Sequence, residues 1–175
     1  KNVNHLIFEK NSIKLFPKII NSLSRKNGLD GNILILIDDF FEKKNLFDSN
    51  EIINENHIIY LNTTNEPSTT GIDNLILKYF DKFKFKPDII VGIGGGSILD
   101  TAKACSNLFN NQGKAEDYQG WDLVKNKGIF KIGIPTISGT GAETSSTCVM
   151  INPKNGLKLG MNSEYSVFDF LILQE

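Results

Sequence analysis

A doubly wound α/β fold with a mainly parallel sheet, of the dehydroquinate synthase-like type, is what this 175-residue sequence predicts. Three observations carry the prediction: short apolar runs recur along the chain, helical amphipathic spacing separates them, and two of the runs end in glycine-rich turns. Strands that alternate with amphipathic helices imply crossover units and parallel pairing. Ligands of such sheets bind beyond the carboxyl ends of the strands, so the informative residues should follow the runs.

The elements follow in order. Residues 13–23 have helical spacing, and Pro17 is tolerable if that helix begins close before it. Residues 32–37 (NILILI) form a continuous apolar run ending in Asp38-Asp39, the mark of a strand buried on both faces. Residues 58–61 are a second, shorter run. Residues 71–84 place Ile72, Leu75, Ile76, Tyr79, Phe80 and Phe83 on one helical face. Residues 88–93 are a third run, introduced by Pro87, and residues 130–134 a fourth, stopped by Pro135. Residues 114–128 are the longest expected surface connection. The tail, 147–175, alternates apolar and polar residues and reads as short strands with turns at Asn152-Pro153 and Asn155-Gly156. Residues 167–173 are strongly apolar and stop abruptly, and the chain begins without Met; both features predict a sequence trimmed from a longer one.

Composition narrows the function. A net charge of −1 with scattered Lys and Arg leaves no electrostatic footprint for nucleic acid or an anionic membrane. No apolar run approaches the roughly 20 residues of a membrane helix, and no signal-peptide pattern opens the chain, so cytoplasmic placement is expected. Cys105 and Cys148 lack C-x-x-C spacing and read as buried thiols. The only histidines are His5 and His57, each read as a strand-edge residue. No three-histidine metal site can be assembled from two, and no metal ligand is assigned in this chain.

Residues 91–103 (VGIGGGSILDTAK) are the sharpest motif: a buried strand runs into three glycines and then a helix. Without Cβ atoms the backbone of Gly94, Gly95 and Gly96 can approach a pyrophosphate, and N–H groups at a helix start favour its charge. Ser97 and Asp100 have capping-box spacing, which would fix that start; Ile98, Ala102, Cys105 and Phe109 then form a core-facing stripe. A turn needed only for tight packing would explain one or two glycines better than three. The motif departs from G-x-G-x-x-G, since Ser97 stands sixth from Gly92 and an earlier strand precedes it.

The second turn, residues 134–146 (IPTISGTGAETSS), repeats the logic with hydroxyls. Thr136, Ser138 and Thr140 can donate to phosphate or ribose oxygens, and Thr140 with Glu143 again has capping-box spacing, predicting a second helix start. Alone, such a loop could equally satisfy its own backbone; two, each after a buried strand, point to one nucleotide between them. Asp38-Asp39 completes the set. A carboxylate at Asp39 can accept both ribose hydroxyls of an adenosine and would repel a 2′-phosphate, favouring NAD over NADP; a simple turn cap is the plainer reading of such an Asp.

With those residues in place, the chain resembles the iron-containing alcohol dehydrogenase family, on GGGSILDTAK at 94–103 and IPTISGTGAE at 134–143. The resemblance covers nearly the whole chain and implies that residues 1–175 are the NAD-binding α/β domain, with a helical metal-binding domain beyond it. It implies NAD as cofactor and, in the full-length enzyme, a divalent metal (iron or zinc) held by one Asp and three His absent here. By the same resemblance Gly95, Gly96 and Ser97 hold the pyrophosphate, and Gly94 and Asp100 count among the cofactor-binding residues. Thr136, Ser138 and Thr140 line the nicotinamide side, Asp39 faces the adenosine ribose, and Lys158 reaches the cofactor. Gln174 stands near where relatives carry Asp, a local departure.

Residues 66–69 (EPST), 118–123 (YQGWDL) and 158–169 (KLGMNSEYSVFD) resemble, more narrowly, the family members that oxidise the C8 hydroxyl of 3-deoxy-D-manno-octulosonate in lipopolysaccharide sugar synthesis. Trp121 could instead anchor a surface loop. The implied reaction is oxidation of a primary alcohol, with oxygen or NAD as the final acceptor. The implied partner is a small sugar alcohol or other primary alcohol, and a homodimer through an edge strand is the implied assembly. The chain alone is expected to be inactive. Three alternatives stay open: a general NAD-dependent alcohol or polyol dehydrogenase, a dehydroquinate synthase-like lyase or cyclase, and a non-catalytic NAD-binding module.

Overall fold

The computed structural model describes residues 3–27, 32–44, 46 and 58–174; His57 lies outside the described residues. Nine strands and three α-helices are described: β1 (His5–Glu9), α1 (Phe16–Asn27), β2 (Ile33–Asp38), β3 (Ile58–Leu61), α2 (Thr69–Phe83), β4 (Ile89–Gly94), α3 (Gly96–Leu108), β5 (Gly120–Trp121), β6 (Phe130–Pro135), β7 (Thr147–Ile151), β8 (Lys158–Asn162) and β9 (Phe170–Gln174). Six strands form one all-parallel sheet in the order β1-β9-β6-β4-β2-β3. A small second sheet, β5-β8-β7, stands apart from it.

The continuous apolar runs become buried strands because both sheet faces are covered. Side chains alternate across a strand, so Ile33, Ile35 and Ile37 of β2 join Ile89, Val91 and Ile93 of β4 against Phe16 and Ile20 of α1. Leu34, Leu36 and Ile90 point the other way, to Ile72, Leu75 and Tyr79 of α2 and Ile98, Leu99 and Ala102 of α3. The predicted stripe at Ile98, Ala102, Cys105 and Phe109 is buried throughout.

Helix limits shift where a cap decides them. α1 begins at Phe16 after a 3₁₀ turn over Ser12–Leu15, leaving Pro17 in its first turn, where the missing N–H costs nothing. α2 begins at Thr69, two residues before the spacing suggests, because the Ser68 side chain accepts from the Gly71 N–H at 3.1 Å. The 114–128 segment is more than a surface connection: Ala115 and Val124 are buried, and β5 joins the second sheet.

The expected short strands of the tail include β7 and β8, which pair as an antiparallel hairpin closed by Asn152 N–H to Leu157 O at 2.8 Å. The apolar 167–173 stretch enters the main sheet as β9, between β1 and β6. Asp169 fixes that entry by accepting from the Lys131 N–H while donating its own N–H to Lys131 O, both at 3.0 Å. Cys105 and Cys148 are free and buried, and burial pushes the Cys148 thiol up to about 12. No helix among the described residues is long and apolar enough to cross a membrane.

Candidate functional site

All six strands of the main sheet point one way, so Asp38, Gly94 and Pro135 end on the same edge. From β2 the chain moves outward to β3, then returns to the other side of β2 to form β4. The connections therefore diverge between β2 and β4, which opens a crevice at their carboxyl ends. Asp38 and Asp39 lie on one side of that crevice, and Gly94, Gly95 and Gly96 on the other.

The first turn is built for close approach. A Cβ on Gly94 would lie 2.6 Å from Ile98 Cγ1 and 2.8 Å from Ile98 Cβ, so only glycine lets β4 turn directly into α3. Gly95 is the residue that caps α3, and no side chain caps it. The expected Ser97–Asp100 capping box is therefore absent. The Asp100 carboxylate turns away from the helix start, and its Oδ2 accepts from the Val149 N–H of β7 at 3.0 Å. That corrects the reading of Asp100 as the capping partner of Ser97. With no side chain over them, the first N–H groups of α3 remain for a ligand.

The second turn meets the first. Thr136 N–H donates to Gly94 O at 3.0 Å. A Cβ on Gly96 would stand 3.5 Å from Thr140 Cβ, and one on Gly95 would stand 3.3 Å from Ile137 Cδ1. The expected helix after Thr140 does not form. The capping-box residues do interact, Ala142 N–H and Glu143 Oε2 each lying 3.3 Å from Thr140 Oγ1. Thr144 and Ser145 then close a single turn on Gly141 O before β7 begins at Thr147. The Thr-Ser-Ser-Thr sequence that follows favours extended backbone and offers no apolar stripe to bury. Thr136, Ser138 and Thr140 are consequently exposed at the mouth of the crevice.

The two aspartates after β2 divide their work. Asp38 is the turn cap, accepting from Phe40 N–H at 3.0 Å and from Thr63 Oγ1 at 2.9 Å. Asp39 is left at the rim, its Oδ2 accepting from Asn62 Nδ2 at 2.7 Å. Asn62 was not legible as a site residue, though its signal existed: β2 and β3 pair with Asp38 beside Leu61, so the residues following each strand must meet. Lys158 projects from β8 and pairs with Glu66. Glu66 and Ser68 line a cavity of 190 Å³ that also takes in Ser97 and Thr101. On the opposite flank, a hollow of 620 Å³ is lined by Phe41, Pro135, Thr136, Ser138 and Leu173. The resemblance assigns Thr136 and Ser138 to the nicotinamide side; the structure sets them in the hollow shared with Phe41, two residues beyond Asp39.

The 118–123 segment holds its sheet through Gln119, whose Nε2 donates to Met150 O at 2.8 Å. Trp121 anchors nothing, being 78% exposed. Among the described residues, no group of three or more His, Cys, Asp or Glu side chains is placed to hold a metal ion. The described residues thus fit a dinucleotide and do not fit a metal.

Comparison with known proteins agrees with this geometry. The family model for iron-containing alcohol dehydrogenase matches residues 4–175. A sulfoacetaldehyde reductase of Bilophila wadsworthia (strain 3_1_6) is 43% identical over 116 residues, covering 66% of this chain and 29% of that protein. Among solved structures, a 1,3-propanediol oxidoreductase superposes with a TM-score of 0.78 at 21% identity, over 99% of this chain and 44% of the other. The sulfoacetaldehyde reductase from Bifidobacterium kashiwanohense in complex with NAD+ gives 0.78 at 22% identity, over 99% and 45%. This chain spans less than half the length of these relatives.

Proposed function

The chain belongs to the iron-containing alcohol dehydrogenase family, and on that premise we propose that residues 1–175 form the NAD-binding domain of an enzyme that interconverts a primary alcohol and an aldehyde. The observation that carries this reading is the meeting of the two turns, with Thr140 Cβ 3.5 Å from where a Gly96 Cβ would lie. One diphosphate would lie over their junction, against the α3 N–H groups of Gly96 and Ser97 and the Thr140 hydroxyl. Asp39, held by Asn62, takes the adenosine ribose and disfavours a 2′-phosphate. Thr136 and Ser138 border the adenosine half, beside the Phe41 hollow. Lys158, paired with Glu66 at the cavity that also takes in Ser97, serves the nicotinamide half.

NAD supplies a hydride acceptor at nicotinamide C4, and NADH the donor for the reverse direction. This chain's part is to bind and orient that group so that its reactive carbon faces the substrate side. A divalent metal, iron or zinc, belongs to the full-length enzyme, and the chain contributes no step through it. The enzyme acts in the cytoplasm. It assembles as a homodimer through β1, the edge strand on which Leu6 and Phe8 are exposed.

For substrate, residues 66–69, 118–123 and 158–169 support the C8 hydroxyl of 3-deoxy-D-manno-octulosonate, with the exposed Trp121 ring available to a sugar. The 43% identity to a sulfoacetaldehyde reductase supports a second reading, a short sulfonated aldehyde. Both substrates carry an anion. The test is an NADH-coupled assay of the full-length protein with each compound and with propan-1-ol. NAD-dependent turnover of the octulosonate, with NADP about tenfold poorer or worse, supports the first reading. Turnover of sulfoacetaldehyde alone replaces it with the second, and absence of NADH binding removes both.

A further inference from the structure

We infer that Lys103 is a positioning residue for dinucleotide binding, fixing the exit of the second turn against the helix that begins the first. The inference rests on the nucleotide reading above and adds a residue that cannot itself touch the ligand. Lys103 is 0% exposed, seven residues along α3 from Gly96, about 10 Å down the helix axis.

Its ammonium is nevertheless fully engaged. Nζ donates to Thr147 O at 2.8 Å, to Ser145 Oγ at 3.0 Å and to Ser145 O at 3.1 Å. It also lies 3.6 Å from Asp100 Oδ1 and 5.6 Å from the Phe168 ring centroid. Three oxygens of the residues that close the second turn thus converge on one cation from the first turn's helix.

The strand context explains why such a cation is needed. β7 pairs with β8 on one side only, and an unpaired strand edge leaves backbone groups without partners. Along its free edge, Thr147 O meets Lys103, Val149 N–H meets Asp100 Oδ2 at 3.0 Å, and Ile151 N–H meets Pro67 O at 2.8 Å. Side chains of α3 replace a neighbouring strand at two of these three positions. Because β7 starts one residue after Ser146, whatever fixes Thr147 also fixes the exit of the second turn, whose entry is held by Thr136 N–H on Gly94 O. Burial of the pair is costly, pushing the Asp100 carboxyl up and the Lys103 ammonium down.

The test uses the full-length enzyme and NADH as probe. Lys103→Met keeps the volume and removes the cation, and its NADH dissociation constant should rise about tenfold at a temperature well below its melting point. Ile20→Ala, in the α1 face of the core, serves as a control that lowers the melting temperature without touching either turn. If Lys103→Met does not fold, Ser145→Ala, which removes one acceptor and leaves the backbone, decides the matter with an expected rise of about threefold. A dissociation constant unchanged within twofold in the folded variant, or an equal rise in Ile20→Ala, overturns the positioning role. Failure of the unaltered protein to bind NADH overturns the nucleotide reading itself, and the positioning role with it.

Discussion

The two glycine-rich turns begin alike and end differently. Each follows a buried parallel strand, and each has two residues at capping-box spacing, Ser97 with Asp100 and Thr140 with Glu143, although only the second pair interacts. After the first, Ile98, Leu99, Ala102 and Cys105 supply an apolar face that packs on β4 and β6, and a helix forms. After the second, Ala142 is the only buried residue before Cys148, and one turn forms instead. Capping chemistry can begin a helix, but an apolar face at the right spacing is needed to continue it. The consequence for the site is a division of labour. The first turn is part of the core and contributes backbone, whereas the second is exposed and contributes hydroxyls.

Substitutions should expose that division, and the largest effect belongs to the first turn. Gly94→Ala places a methyl 2.6 Å from Ile98 Cγ1, with Asp38 Cβ 3.4 Å away on the other side. We expect a loss of about 3 kcal/mol in unfolding free energy, measured by urea denaturation, and no measurable NADH binding. Destabilisation below about 1 kcal/mol would mean that the strand-to-helix junction can shift, and the contrast between the turns would weaken.

Next in size is Asp39→Ala. Charged hydrogen bonds contribute about 1.5–3 kcal/mol each, so NAD affinity should fall at least about tenfold while the NADP:NAD ratio rises. Fluorescence titration with NADH and NADPH measures both. Asn62→Ala should move the same ratio less, since it removes only the 2.7 Å hydrogen bond that orients Asp39.

Smaller still are changes in the second turn. Thr140→Ala should weaken NADH binding about fivefold and leave the denaturation midpoint within about 0.5 kcal/mol. Gly141→Ala should do the reverse. Its φ of 68° is in the left-handed region, with nothing within 4 Å of an added Cβ, so strain alone opposes it. The cost is about 1 kcal/mol. If Thr140→Ala instead destabilises the fold as strongly as Gly94→Ala, the second turn is core after all.

How much of this was legible follows the range of the interactions. β2, β4 and the turns at Asn152-Pro153 and Asn155-Gly156 were readable because runs, prolines and turn residues act locally. Pro17 marked the start of α1 to within a residue or two for the same reason. The placement of β9 between β1 and β6 was not readable, because it depends on pairing partners at opposite ends of the chain. Asp100 was misread on the same ground. Its spacing on a helix suggested a cap, yet it meets β7, as Lys103 does, more than forty residues later. The two turns could be paired in advance only by their likeness, and their contact through Gly95, Gly96, Ile137 and Thr140 is a property of the folded chain.

The smallest effect lies at the far end of α3 and tests whether the contact of Tyr79 with Phe109 is apolar packing alone. Tyr79 of α2 stacks edge-on against Phe109, with ring centroids 5.4 Å apart, and lies 4.7 Å from Phe83. Its hydroxyl is buried with no hydrogen-bond partner among the described residues. Burial pushes the phenol up to about 12 from an ordinary value of 10.0. Removing an unsatisfied hydroxyl costs little or stabilises, so Tyr79→Phe should leave neutral-pH stability unchanged or raise it by up to about 1 kcal/mol. The folded-state value is raised, so the tyrosine's stabilising contribution is fully present below pH 10 and is lost as pH rises through about 12. The two proteins should therefore diverge between those limits, the phenylalanine variant losing less stability in alkali, as thermal melts across pH 9–12 would show. A variant weaker than the parent by more than about 1 kcal/mol at neutral pH would mean that the hydroxyl has a partner.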